Sequence, residues 1–351
     1  MNIYLRSTSC ISPQKTFGQP PGSFLASPVQ YAGTRLNSIE PDYRGLLDAR
    51  LLRRMSRITR MGVAAAAACL QEAGEKEPDA IVTGTAYGCL EDTGLFLNSL
   101  LEREEGMLQP GPFIQSTHNT VGAQIALMLQ CTRYNNTFVH RGLSFESALL
   151  DAVMLLQEKE AATVLVGGVD ETTDISHTLL SRFGLYRRGA IAGEGASFFL
   201  LTDRPSPNDY ARLEGIATFY KPGGIGEIEQ EIRSFLAAQA IDPADIDLLI
   251  TGRNGDYMGD RVYDQLEGSL LGSIPAVPYK HLCGEYPTST AFAVWVAANI
   301  IREGSVPAVL TGKTETDPTM TGKRKPGKRI EKILVYNHYL TIHHSLFLLS
   351  A

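Results

Sequence analysis

The chain has 351 residues, 44% hydrophobic and 20% charged, enough for one large or two medium cores and without the apolar depletion that marks disorder. Its 32 lysines and arginines against 38 aspartates and glutamates leave a net charge of −6, which offers no general basis for nucleic-acid binding, so any basic patch is local. Five cysteines, Cys10, Cys69, Cys89, Cys131 and Cys283, form no CxxC pair and suggest neither a disulfide framework nor a zinc site; a reducing cytoplasm is the setting they fit. No apolar run reaches the length of a membrane span and the N-terminal stretch has no long apolar core, so neither export nor insertion is expected.

In chain order, Met1 to Leu5 reads as a short strand, and Ser12 to Asn37, rich in Pro, Gly and Ser, as loop. From Leu46 to Gly74 the pattern is helical: Leu51, Met55, Ile58, Met61, Ala65 and Leu70 recur at helical spacing. The run Arg50, Arg53, Arg54, Arg57 and Arg60 gives that helix a solvated or salt-bridged face, with an acidic partner as the alternative. Ala80 to Gly84 is a short buried strand and Leu95 to Glu102 a helix. A polar loop with cap candidates Thr117 to Asn119 leads into a helix from Val121 to Leu129. His118, beside that cap, reads as a hydrogen-bonding loop residue.

Thr137 to Glu171 is the most informative stretch. It reads as a strand end, a tight turn at Arg141-Gly142, an apolar helix through about Gln157, and a buried strand from Thr163 to Val166 opening into Gly167-Gly168. A strand-to-helix turn of this kind aims one side chain and the free N–H groups of the helix start at whatever lies above the sheet. A nucleophile would sit there, and the residue present is Gly142.

The second half repeats the first in outline. The strand Ala80 to Gly84 after its helix is echoed by Leu248 to Gly252 after the helix Glu227 to Gln239. The helix from Ser144 with its strand Thr163 to Gly167 is echoed by the helix Thr288 to Glu303 with a strand predicted at Pro307 to Gly312. Strands alternating with helices imply a largely parallel sheet covered on both faces. Two such units in one order imply a duplicated α/β architecture, divided here as residues 1–205 and 206–351, with function near the strand ends where the halves meet.

Gly193-Glu194-Gly195-Ala196-Ser197 stands before a predicted strand from Phe198 to Leu201. With the helix LLRRMSRITRMGVAAAAACLQEAG, the turn-and-helix ending in ALLDA and the segment VGGVDE, it resembles the β-ketoacyl synthases, condensing enzymes of the thiolase fold. The likeness runs in order along nearly the whole chain. It implies an α/β fold of five layers, αβαβα, built from two pseudo-repeated halves, with paired active sites across a dimer. The family's reaction is decarboxylative Claisen condensation of an acyl group with malonyl on an acyl carrier protein. A cysteine at a helix start accepts the acyl group, and two histidines stabilise the enolate formed as carbon dioxide leaves.

Mapped onto this chain, the resemblance puts the nucleophile's place at Gly142. The first histidine's place, in Gly252 to Asp260, is Gly252. In the segment Lys280 to Glu285 the lysine and Gly284 persist, while the second histidine's place is Glu285. The segment aligned with the family's glycine-rich gating loop, Asn337 to Ile342, has no glycine. Gly142 has no side chain to acylate, Gly252 no proton to donate, and an ionised Glu285 would repel an enolate oxygen.

The resemblance therefore implies a chain-length-factor-like subunit, pairing with an active ketosynthase or forming a homodimer. Its pathway would make a fatty acyl, polyketide or aryl polyene chain, with Lys280 and Glu285 as a buried structural ion pair. The alternative is an active acyltransferase or condensing enzyme with a relocated nucleophile, Ser144 or Cys283, served by His140 or His281. Each of these has a plainer reading: helix-start hydrogen bonding for Ser144, core filling for Cys283, loop hydrogen bonding for the histidines. A third reading is a binding module for an acidic acyl carrier protein, docked on the arginines 50 to 60 or on Lys323 to Arg329. No cofactor is expected. His343 and His344 are neighbours on a closing strand and point to opposite faces, which argues against a metal.

Overall fold

The structure is a computed structural model that describes residues 2–20, 22–103, 106, 108–311 and 329–351. Its first half runs β1 (Ile3–Ile11), α1 (Ala49–Leu52), α2 (Arg57–Ala73), β2 (Ala80–Gly84), α3 (Leu90–Glu102), α4 (Pro110–Gln115), α5 (Thr120–Leu129) and β3 (Tyr134–Phe138). It continues through α6 (Ser144–Gln157), β4 (Thr163–Asp170), α7 (Asp174–Arg182) and β5 (Gly195–Thr202). The second half runs β6 (Ala211–Tyr220), α8 (Ile225–Ala238), β7 (Leu248–Thr251), α9 (Arg261–Glu267), β8 (Ala276–Pro278) and α10 (Lys280–Cys283). It ends with α11 (Ser289–Glu303), α12 (Ala308–Thr311), β9 (Lys332–Tyr339) and β10 (His343–Ser350).

The ten strands form one sheet in the order β3-β2-β4-β5-β1-β6-β10-β9-β7-β8. Read outward from its centre, each five-strand half has the same order and the same directions: two antiparallel pairings, then two parallel ones. The halves join where β1 meets β6, at Ile3↔Leu213, Tyr4↔Arg212 and Leu5↔Ala211.

Side-chain alternation along the strands builds the layers. Val164 and Val166 of β4 and Phe199 and Leu201 of β5 face a central core with α6 and α11. Leu165 and Val169, with Phe198 and Leu200, face the outer layer of α2 and α5. In the second half Ile333 and Val335 of β9 face the central helices, while Leu334 and Tyr336 face α8 and α9. The result is the αβαβα order implied by the resemblance.

Two sequence expectations need correction. The helix predicted over Leu46 to Gly74 is broken: Asp48 caps the single turn α1, and α2 starts afresh after Ser56. Pro307 to Thr311 is not a strand but the helical turn α12, and the partner of β4 in the repeat is β9. A short apolar run does not distinguish strand from helix by periodicity, which is how this segment misleads.

Asp170, at the end of β4, ties the halves together. It is 1% exposed; its Oδ1 accepts from Thr85 Oγ1 at 2.9 Å, Ala86 N at 2.8 Å and Tyr87 N at 3.4 Å. Its Oδ2 accepts from Thr288 N at 3.2 Å and Thr288 Oγ1 at 2.8 Å, at the start of α11. Burial raises its pKa and these donors oppose the rise. Removing one partner of such a network strands the others; Asp170→Ala is expected to cost about 3–5 kcal/mol, with Asp170→Asn milder, measured by urea unfolding.

Glu146, on α6 between the halves, is the opposite case. It is fully buried, and among the described residues neither its carboxyl oxygens nor the hydroxyls of Thr290 and Ser345 have a well-formed hydrogen bond. Burial pushes its pKa up to about 7, opposed in part by the Thr290 and Ser345 hydroxyls and the Lys280 ammonium. A raised folded-state pKa contributes stability that is present below the unfolded-state value, about 4.5, and is lost as pH rises through about 7. Glu146→Gln should therefore be more stable relative to wild type at pH 8 than at pH 5, by roughly 2–3 kcal/mol. Unfolding curves at the two pH values check this, and an unchanged difference would count against a neutral Glu146.

Candidate functional site

Gly142 lies in a single turn of 3₁₀ helix, Arg141–Leu143, that joins β3 to α6. Arg141 adopts a left-handed conformation, φ 53°, an unfavourable one for a residue with a Cβ. Ser144 stabilises the turn: its hydroxyl donates to Arg141 O at 2.8 Å and accepts from His140 N at 2.9 Å. A Cβ on Gly142 would lie 2.5 Å from Tyr339 Cβ and 2.7 Å from Tyr339 Cδ1 and Cγ. The volume a nucleophile's side chain would need is occupied by Tyr339.

Gly252 follows the end of β7. A Cβ there would collide with Asn337 Oδ1 and lie 2.7 Å from Tyr263 OH. Those groups are engaged: Asn337 Oδ1 accepts from Tyr279 OH at 3.1 Å, and Tyr263 OH accepts from His338 N at 3.1 Å.

Glu285 is placed by glycines. Gly284 has φ +77°, and both it and Gly193 lie so close to the opposing backbone that a Cβ on either would run into it. This close approach is what glycine permits. It lets Glu285 N donate to Ile191 O at 2.8 Å and Gly193 N donate to Glu285 O at 3.1 Å. The Glu285 carboxylate pairs with Lys280 Nζ at 3.0 and 2.8 Å and accepts from Asn254 Nδ2 at 2.6 Å. Both partners are buried, Lys280 3% and Glu285 5% exposed, so truncating either would leave an uncompensated charge.

One segment reaches all three positions. Asn337, His338 and Tyr339, at the end of β9, supply the side chain beside Gly252, a carbonyl 3.5 Å from Lys280 Nζ, and the ring beside Gly142. The chain then reverses through Leu340 and Thr341, φ 57° and 54°, into β10. These are turn conformations that glycine or asparagine usually supplies, so the segment aligned with the gating loop is a hairpin end.

His338 does not fill the role of a catalytic base. Its Nδ1 accepts from Thr341 N at 3.3 Å, which leaves Nε2–H to donate to Gly259 O at 3.1 Å. Burial, with the nearby Lys280 charge, pushes its pKa down to about 3. It is held neutral and stacks on Tyr263, with ring centroids 4.8 Å apart.

The alternative nucleophiles are not brought to a base. Ser144 is fully buried and engaged in its turn. Cys283 is fully buried, and burial pushes its thiol pKa well up. His140 Nδ1 meets Ser147 Oγ at 2.8 Å. His281 Nε2 lies 3.1 Å from Val309 O. Sequence reasoning missed Tyr339, Tyr263 and Tyr279 as occupants of the site, although Asn337 and Tyr339 stood inside the segment aligned with the gating loop and Asn254 inside Gly252 to Asp260.

The glutamate of Gly193–Ser197 is structural. Glu194 is fully buried and accepts from Arg57 Nη1 at 2.7 Å, Arg57 Nη2 at 2.5 Å, Ser38 N at 2.8 Å and Thr172 N at 3.0 Å. This assigns Arg57 of the basic run to an internal ion pair. Lys323 to Lys328 lie outside the described residues. Among the described residues there is no cluster of three His, Cys, Asp or Glu able to hold a metal, and no helix long and apolar enough to cross a membrane.

Residues 32–181 match the family model of the β-ketoacyl synthase N-terminal domain. No curated protein matches the sequence. Among solved structures, the ishigamide ketosynthase/chain length factor is similar at 18% identity, covering 99% of this chain and 98% of that chain, with a TM-score of 0.78. A ketosynthase (ApeO) in complex with its chain length factor (ApeC) from Xenorhabdus doucetiae is similar at 16% identity, 99% and 98% coverage and a TM-score of 0.77. A type II polyketide synthase acyl carrier protein in complex with its ketosynthase is similar at 12% identity, 99% coverage of both chains and a TM-score of 0.72. Along its whole length the chain has the thiolase-like fold of these ketosynthase structures, and residues 32–181 match the β-ketoacyl synthase N-terminal domain.

Proposed function

We propose that this chain is a non-catalytic subunit, like a chain length factor, that pairs in the cytoplasm with an active ketosynthase and works on chains carried by an acyl carrier protein. The observation that carries the reading is the filled site: Tyr339 occupies the space beside Gly142, and Asn337 with Tyr263 the space beside Gly252. Glu285 is locked to Lys280. Acyl transfer needs a nucleophile and enolate stabilisation needs donors, and this arrangement supplies neither at the family's positions.

An exposed apolar stripe supports the pairing. On α7 and its C-cap, Ile175, Leu179 and Phe183 recur at helical spacing and are 53%, 48% and 79% exposed. An apolar stripe of this kind is unusual on a surface facing water alone. The product class that fits the similar proteins is a fatty acyl or polyketide-type chain, an aryl polyene among them.

The purified chain, given acyl donor and malonyl-loaded carrier protein, should form no 3-ketoacyl product. Co-expressed with an intact Cys-His-His ketosynthase from its gene neighbourhood, it should co-purify as a 1:1 complex. Condensation by the isolated chain would overturn the proposal.

The filled site is tested separately. Gly142→Cys should destabilise the fold by about 1–3 kcal/mol through overpacking and remain unlabelled by iodoacetamide while folded. Gly142→Cys with Tyr339→Gly, which removes the clashing Cβ as well as the ring, should expose a reactive thiol. Labelling of the single variant as fast as the double would show that Tyr339 does not block the position.

A further inference from the structure

The proposed pairing role leaves a feature unused at the seam of the two sheet halves, at the far end of α11 from Asp170. Strand β1 stays paired to β5 as far as Ile11 but pairs with β6 only from Ile3 to Leu5. Past Leu5 no strand among the described residues lies on that side of it. A cavity of about 460 Å³ occupies this opening, within the size range of small-molecule sites. Thr8 and Ser9 of β1, Ala68 of α2, and Trp295 and Asn299 of α11 line it. Thr16, Phe24 and Leu25, from the loop after β1, complete the lining.

The walls are held in place. Phe24 meets Trp295 edge to face with centroids 5.1 Å apart, and Phe292 backs Trp295 at 5.6 Å. The Arg302 guanidinium lies 4.0 Å over the Tyr210 ring. Glu72 accepts from Tyr210 OH at 2.5 Å, Thr8 N at 3.2 Å and Arg302 Nη1 at 3.2 Å.

The charges cancel and stand at the rim. Among the described lining residues Lys15 and Arg302 are matched by Glu72 and Glu303, and all four are exposed. Deeper in, the polar groups are neutral. Ser9 is only 8% exposed, yet its hydroxyl has no hydrogen-bond partner among the described residues and is not sealed off from the cavity. Asn299 Nδ2 donates to Trp295 O at 2.8 Å, which fixes the amide and leaves its Oδ1 free to accept.

We infer that this cavity binds an uncharged aromatic molecule carrying a hydroxyl or amide, its ring against Phe24 and Trp295 and its polar group toward Ser9 and Asn299. Aromatic walls favour a flat ring, and neutral donors and acceptors replace the water that a hydroxyl or amide loses on entry. An ion would give up its hydration inside with no net countercharge to replace it.

Trp295 is the chain's single tryptophan, so one indole N–H resonance in a proton–nitrogen correlation spectrum reports this cavity. Titration of the intact protein with 2-naphthol should shift that resonance saturably, with a midpoint at or below about 1 mM. 2-Naphthoate and 2-naphthylmethylammonium, which carry a negative or a positive charge on the same ring, should bind at least roughly tenfold more weakly. Ser9→Ala should weaken 2-naphthol about two- to tenfold. Ala68→Phe, which adds a ring from the α2 wall, should abolish the shift while circular dichroism stays native. No saturable shift, equal binding of either charged ring, unchanged binding in Ser9→Ala, or a shift retained in Ala68→Phe would overturn the inference. None of these outcomes bears on the pairing proposal, which is read by condensation and co-purification.

Discussion

The end of strand β9 is wedged between two glycines that a different chemistry would have filled. Gly142 cannot gain a side chain while Tyr339 stays where it is, and Gly252 cannot while Asn337 and Tyr263 do. The constraint is mutual. The ring and the amide sit there because the glycines leave room, and the glycines are required because close-packed interiors do not hold two groups in one volume. The same segment brings its His338 carbonyl to the Lys280 ammonium, so the ion pair at Glu285 is continuous with the packing that closes the other two positions.

What surrounds the wedge is an expensive scaffold kept intact. Asp170 and Glu194 are buried carboxylates, and burial of a charge is tolerable only when donors replace the lost water. Asp170 draws five donor contacts from the β2–α3 connection and the start of α11. Glu194 draws on Arg57 and two backbone amides. These groups fix the loops that bound the site without taking part in its contents, which explains how a framework can persist where the side chains at its centre are different. Glu146 stands apart, buried one helical turn beyond Gly142 with its oxygens poorly matched, and its cost falls on the joint between the two halves.

The burial of His338 shows why residue type is a poor guide to role. A histidine beside Gly252 invites assignment as a base, yet loss of water and the Lys280 charge hold it neutral, stacked on the Tyr263 ring. Its two ring nitrogens are committed to Thr341 N and Gly259 O. The cavity at the other end of α11 shows the converse: Lys15 is far in sequence from Trp295 and Arg302, which lie two turns apart on α11, and folding alone brings it to the same wall.

Much of the architecture is legible in the sequence because it rests on local periodicity. Alternating buried runs such as Thr163 to Asp170, helical spacing as in Arg57 to Ala73, and glycines at forced turns each report on a neighbourhood of a few residues. The absence of a thiol at Gly142 and of imidazoles at Gly252 and Glu285 follows from the same order of motifs. The break before α2 and the helical turn at Ala308 to Thr311 escaped notice because short apolar runs are ambiguous in period. What the chain could not disclose alone is what replaced the missing groups. Tyr339 meets Gly142 across 197 positions of sequence, and Arg302 meets Glu72. Such encounters arise only when the sheet halves close on each other, since occupancy of a volume is a property of packed side chains from distant segments and not of any one stretch.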